Sequence, residues 1–207
     1  MLKYIKALYH IIKNYNFYSI PILLREAEFY LKYNKDFNKF KYHNSNFLSD
    51  SIPCPHFFLL KIKKFMVEKK INFLCDLGSG YGKILYFFGE INYFKIDGVE
   101  LDKEIFAFSE KLKNQRINIF NQDILNFDLN NTNYELLIIN DPLKKTEDLS
   151  QLIENIKNNY TNKYVVLINI GQEKFNKIKN DLVIIESYKI SKNKNLMFCE
   201  IKKSKVT

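Results

Sequence analysis

The sequence predicts an α/β fold: a mostly parallel sheet with helices on both faces, an antiparallel C-terminal hairpin and a helical N-terminal extension. Three observations carry this. From Ile71 onward, short apolar runs alternate with helical stretches, the pattern of βαβ units whose sheet is covered on both sides. The last two runs, LVIIESYKI and NLMFCEI, lie too close for a helical crossover, so they pair as an antiparallel hairpin at one edge. Before residue 34, apolar residues recur at helical spacing instead.

Taken in order, Leu2, Ile5, Leu8, Ile12 and Tyr15 mark a first helix, with Lys3, Lys6 and Lys13 beside them. A second spans Pro21 to Tyr33, and no acid precedes Glu26. A basic amphipathic leader is one reading of this start; a helical cap packed on the main domain is the plainer one. Asn34 to Ser51 is polar, rich in Asn and Lys, with aromatic anchors at Phe37, Phe40, Tyr42 and Phe47, a connection or lid. Pro53 and Pro55 then precede an apolar helix from about His56 to Glu68. The strands follow as INFLCDL, FKIDGVE, INIFNQD, YELLIIN and YVVLINI. Helices lie between them from Gly82, from Asp102 to Asn114 and from about Glu147 to Tyr160, and a short one from Gln172 to Lys179 leads to the hairpin, turned near Asn193. The organisation is a helical extension and connecting loop over residues 1–52, then one domain over residues 53–207.

Composition narrows the function. The chain has 207 residues, 46% of them hydrophobic, enough for a real core and too many for a disordered chain. No run approaches 18 apolar residues, so no transmembrane segment is expected. Cys54, Cys75 and Cys199 are an odd number without CxxC spacing. That argues against a disulfide scaffold or a zinc ribbon and for a reducing, cytoplasmic setting. Cys75, inside a strand, reads as packing. His10, His43 and His56 form no metal-spaced cluster, so no metal is expected. His56 reads as a solvent or helix-start histidine, with a place near a cleft mouth as the sharper alternative. The net charge of +9 comes almost wholly from lysine, with only Arg25 and Arg116 as arginine. Arginine is the preferred residue for bidentate phosphate and base contacts, so the basic balance permits RNA without arguing for it.

Three of the six glycines fall in one stretch, Asp76-Leu77-Gly78-Ser79-Gly80-Tyr81-Gly82, after the first strand and before a helix. Glycines there let the backbone turn sharply and approach a ligand. The spacing is GxGxG, not the GxGxxG of the dinucleotide fingerprint. The second strand ends in Gly98-Val99-Glu100, and an acid at that tip can accept both hydroxyls of a ribose. Asp97 is the competing acid, placed on the opposite side by strand alternation. Leu101 follows Glu100 at the tip. The third strand ends in Gln122-Asp123-Ile124, where Asp123 could take an adenine amino group while Ile124 lines the ring; Asp123 could equally cap a turn.

With these residues the chain resembles the class I S-adenosylmethionine-dependent methyltransferases, a Rossmann-like family, from about Pro53 to the C-terminus. The resemblance implies that DLGSGYG contacts the methionine part of the cofactor through Asp76, Gly78, Ser79, Gly80, Tyr81 and Gly82. It also implies a ribose at Glu100 and an adenine at Asp123 and Ile124. Tyr81 more plausibly shields the cofactor than reacts. In wording the chain is most similar to bacterial methyltransferases of unassigned acceptor and to protein lysine methyltransferases with DLGSG and GVE motifs.

The fourth strand ends in Asn140-Asp141-Pro142-Leu143, a position that in the family borders the methyl group. Amino-methylating members carry Asn/Asp-Pro-Pro-aromatic there. Leu143 departs from that pattern and leaves no ring to stack on a base, which weakens the nucleic-acid readings. The resemblance makes Asp141, with Pro142 and Asn140, the acceptor-side set, Asp141 orienting an amine or receiving its proton. A plain Asp-Pro helix start is the structural alternative. The expected activity is methyl transfer to nitrogen of a protein lysine or small-molecule amine. An RNA methyltransferase and a non-catalytic cofactor- or RNA-binding module are the alternatives, and a nicotinamide-dependent reductase is disfavoured by the GxGxG spacing.

Overall fold

In a computed structural model the chain is described at residues 20–32, 35–37, 39–42, 49–91, 93–130, 132–160, 164–191 and 194–202. The helix expected over Leu2 to Tyr15, the middle of the Asn34–Ser51 connection and the turn at Asn193 lie outside these residues.

The first described element is α1 (Ile20–Lys32). A single 3-10 turn, Lys35–Phe37, follows, and Ser49 to Cys54 form a strap ahead of the next helix. Helix α2 (His56–Lys69) starts after Pro55 and stops at Lys70, which takes a left-handed conformation with φ 57°. The amide of Lys70 bonds to Val67 O and that of Ile71 to Met66 O, the paired closure of a Schellman motif.

Seven strands follow: β1 (Phe73–Leu77), β2 (Lys95–Glu100), β3 (Ile117–Asn121), β4 (Leu136–Ile139), β5 (Tyr164–Ile168), β6 (Leu182–Ser191) and β7 (Lys194–Ile201). The helices between them are α3 (Lys83–Gly89), α4 (Lys103–Ser109), α5 (Thr146–Asn159) and α6 (Gln172–Ile178). The sheet order is β3-β2-β1-β4-β5-β7-β6. Strands β1 to β5 run parallel, and β7 is antiparallel to both β5 and β6. The expected hairpin is present, with β7 inserted against β5 and β6 left at the edge.

Each central strand feeds two cores because its side chains alternate. Leu74, Ile138 and Val166 join Phe29, Phe58 and Phe87 on one face. Cys75, Leu137 and Val165 join Leu149, Leu152 and Ile156 on the other. Burying each such side chain stabilises the fold by roughly 1.5–3 kcal/mol. Phe29, fully buried, brings α1 into the first core. The helix expected to run to Asn114 instead tightens after Ser109 into a 3-10 turn, Glu110–Leu112, which lays Leu112 against Gly82.

From β1 the chain builds outward through β2 and β3, then returns to β4 on the other side of β1. In open α/β sheets that reversal leaves a crevice at the carboxyl ends of the strands, where ligands bind. The fold therefore places its site beside the glycine loop. No helix among the described residues is long and apolar enough to cross a membrane.

Candidate active site

A cleft of about 780 Å³, open solvent at its mouth included, lies at the carboxyl ends of β1 to β4. The glycine loop forms its floor. The amides of Gly78 and Ser79 both bond to Val99 O at 2.9 Å, which ties the loop to β2. Gly78 has φ +87°, and a Cβ there would meet Pro142 Cβ at 2.3 Å. Only glycine permits that backbone and that approach, so the loop after β4 closes directly onto the glycine loop.

Asp76, at the end of β1, is fully buried. Neither of its carboxylate oxygens has a hydrogen-bond partner, and the Ser79 hydroxyl is likewise unpartnered. Burial, and then the charge of Glu100, push the Asp76 carboxyl up to about 8. A buried acid left unpaired is costly unless a ligand compensates it. Glu100, at the tip of β2, is 7% exposed. Its Oε2 accepts from Gly80 N and its Oε1 from Asp102 N, both at 2.8 Å. Burial raises its pKa above the ordinary value while those two amides pull it back. The carboxylate is thus held by backbone at the edge of the cleft.

Leu101, Asp123 and Ile124 line the far end. Asp123 also caps its own turn, accepting from Leu125 N at 2.9 Å and Asn126 Nδ2 at 3.3 Å, as its structural reading expects. Tyr81 lines the cleft with its ring edge-on to Phe108. Asp97 sits on the opposite side, accepting from the Tyr134 hydroxyl at 2.6 Å.

The acceptor-side segment divides. Asn140, Pro142 and Leu143 face the cleft. Asn140 Nδ2 donates to Ile52 O at 2.9 Å and its Oδ1 accepts from Asn169 Nδ2 at 2.8 Å, which fixes the carboxamide. Asp141 is not part of the wall. Its backbone turns into the left-handed region, φ 42°, and its carboxylate meets Lys174 Nζ of α6 at 2.6 Å. Burial outweighs that ammonium and raises the Asp141 pKa. Gly82 also stands back from the cleft: a Cβ there would strike Leu112 Cδ1 at 2.7 Å, so it serves the join between α3 and the turn after α4.

The strap is the part that sequence reasoning placed least well. Ser49 to Cys54 crosses the cleft, with Phe37 and Lys39 at its start. Lys41 and Ser51 exchange backbone bonds of 3.2 and 2.8 Å, and Ser49 N reaches Pro142 O at 3.4 Å. Lys41 Nζ lies 2.9 Å from Asp102 and 2.8 Å from Glu104, at the start of α4.

One further residue was missed. Lys83, directly after the glycine loop, lines the cleft at 4% exposure and pairs with Glu26 of α1 at 3.0 Å. The one available signal was that Glu26 is the first acid of the chain. His56 is the first residue of α2, as the helix-start reading expects, but it does not face solvent: it is 1% exposed, packed between the rings of Phe29 and Phe87, with its backbone amide donating to Glu26. The apolar start of α2 draws it inward, and that burial lowers its pKa.

No protein-family model matches the chain, and no curated protein matches it in sequence. Solved structures match it in fold. The magnesium protoporphyrin IX methyltransferase ChlM from Synechocystis PCC 6803, with bound SAM, is 15% identical and superposes with a TM-score of 0.55, covering 71% of this chain and 78% of that one. The N-methyltransferase NodS from Bradyrhizobium japonicum WM9 is 9% identical, TM-score 0.58, over 71% of this chain and 95% of its own. The methyltransferase domain of bacterial CtHen1 is 12% identical, TM-score 0.58, over 70% and 97%. The fold is that of the class I S-adenosylmethionine-dependent methyltransferases, with its seven-stranded sheet and terminal antiparallel strand.

Proposed function

We propose that the chain is an S-adenosylmethionine-dependent methyltransferase acting on an amine nitrogen, of a protein lysine or a small molecule. The observation that carries this is the buried, unpartnered carboxylate of Asp76 under the glycine loop. It fits a ligand with an ammonium at one end, and Glu100 and Asp123 stand at successive strand ends for its ribose and adenine. When bound, the cofactor supplies an electrophilic methyl group on a sulfonium. Asp76 and Ser79 hold its amino-acid end, Glu100 its hydroxyls, and Asp123, Ile124 and Leu101 its base.

Transfer to an incoming nitrogen needs alignment and exclusion of water, together worth roughly 7–11 kcal/mol. The strap and the wall of Asn140, Pro142 and Leu143 supply both. Asp141 enters this proposal as a positioning residue, holding that wall through Lys174. The acceptor is read from charge. In a chain of net charge +9, the cleft gathers Asp50, Asp76, Glu100 and Asp123 against Lys39 and Lys83. An acidic cleft favours a cationic amine over a polyanion. The diversion of Asp141 to Lys174 favours one other reading, a cofactor-binding module without turnover.

The test is calorimetry with S-adenosylhomocysteine and NAD on wild type and Glu100→Ala. Selective binding of the first is expected, weakened about 10- to 100-fold in the variant by loss of a charge-assisted bond. Labelled S-adenosylmethionine added with cell extract should then mark the protein or small-molecule fraction. Binding without any transfer selects the non-catalytic module, and label in RNA overturns the amine assignment.

A further inference from the structure

Lys83 opens α3 directly after the glycine loop, and burial of a lysine to this degree is unusual and demands a compensating anion. Its Nζ lies 3.0 Å from Glu26 Oε2 and 4.5 Å from the centre of the Phe29 ring. Glu26 is shared, since it also takes the His56 amide at the start of α2. One carboxylate thus anchors both the Lys83 ammonium and the first turn of α2, and Lys83 also lines the cleft.

Asp76, Ser79 and Lys83 all line the cleft beside the glycine loop. The Asp76 carboxylate has no hydrogen-bond partner, and among the described residues no ion pair joins it to Lys83, whose ammonium is held by Glu26. An unpartnered buried anion and a buried cation lining one cleft complement the two charges of an α-amino acid.

We propose that Lys83, oriented by Glu26 of the N-terminal helix, receives the carboxylate of the cofactor's amino-acid end while Asp76 receives its ammonium. This rests on the S-adenosylmethionine reading above and adds a named cation to it. It makes α1 a structural part of the cofactor site, because the carboxylate that holds Lys83 comes from that helix. It also gives a physical reason for discriminating against nucleotides that lack an amino-acid group.

The experiment compares S-adenosylhomocysteine with 5′-methylthioadenosine, which keeps the adenosine and thioether but has no amino-acid end. Binding of both is measured by calorimetry on wild type, Lys83→Met and Glu100→Ala. Lys83→Met should weaken S-adenosylhomocysteine about 10- to 100-fold and leave 5′-methylthioadenosine unchanged, whereas Glu100→Ala should weaken both. An unchanged ratio of the two affinities in Lys83→Met overturns the assignment while the cofactor reading stands. Wild type that binds neither ligand removes both. Should Lys83→Met fail to fold, the wild-type protein decides with the carboxamide analogue of S-adenosylhomocysteine: about tenfold or greater loss supports the clamp, and equal affinity overturns it.

Discussion

At the scale of single residues the site is governed by one acid kept out of water. With its carboxyl pushed up to about 8, folded Asp76 keeps a proton that the unfolded chain loses near pH 4. Between those values the native state binds more protons than the unfolded one, so stability of the free protein falls as pH rises and the loss is complete above about 8. Asp76→Asn should flatten this decline: its melting temperature should drop less than that of wild type between pH 5 and 8. An ammonium ligand reverses the balance by favouring the ionised form, so S-adenosylhomocysteine should bind wild type more tightly as pH rises from 6 to 8, and Asp76→Asn should lose that slope. Identical pH profiles for the two proteins would show that Asp76 is not the group responsible. The places of Asp76, Glu100 and Asp123 on the cleft wall were legible in the sequence because each lies at or just past the end of a strand that the hydrophobic pattern marks. Asp141 was not, because its direction depends on a positive φ that no motif announces. Lys83 and Glu26 were not, because they meet across 57 positions.

At the scale of elements, the strap borders the cleft. It is pinned beside the end of β4 by Ser49 to Pro142 and Asn140 to Ile52, and beside the start of α4 by Lys41 to Asp102 and Glu104. Asp102 also caps α4, accepting from Glu104 N at 2.9 Å and Ile105 N at 3.1 Å, so one side chain joins the lid to the helix that follows Glu100. The Lys41 pairs are partly solvated and therefore sensitive to salt. Lys41→Met should speed release of S-adenosylhomocysteine in stopped flow at low salt, with the gap from wild type closing as ionic strength rises. A release rate equal to wild type at low salt would mean that the lid is held from the acceptor side alone. The strands and helices themselves were readable because their periods of two and 3.6 are local properties of the chain. The insertion of β7 between β5 and β6 was not, since LVIIESYKI and NLMFCEI are both apolar enough for the inner place. Nor was the path of the strap, whose polar composition carries no period.

For the whole molecule the telling feature is the contrast between a basic chain and an acidic cleft. Lysines spread over the surface give nucleic acid a non-specific attraction that arises from counterion release and falls linearly in log affinity with log salt. Binding in the cleft works by a different physics, with the carboxylates of Asp76 and Glu100 buried in its wall and little ionic atmosphere to displace. The two kinds of binding should therefore separate in a salt titration. Affinity for a mixed-sequence RNA should fall by orders of magnitude between about 50 and 200 mM salt if several phosphates are contacted, while affinity for S-adenosylhomocysteine stays within a few-fold. Only Arg25 and Arg116 could offer planar, bidentate contacts to an RNA, and Arg25 is already paired with Glu28 at 2.6 Å. RNA binding that persisted at 200 mM salt and tightened when S-adenosylhomocysteine was present would put the polyanion at the methyl group and displace the amine as acceptor. Loss of RNA binding over that range, with the cofactor still bound, would leave the acidic cleft as the feature that selects the substrate and the positive surface as its solvated exterior.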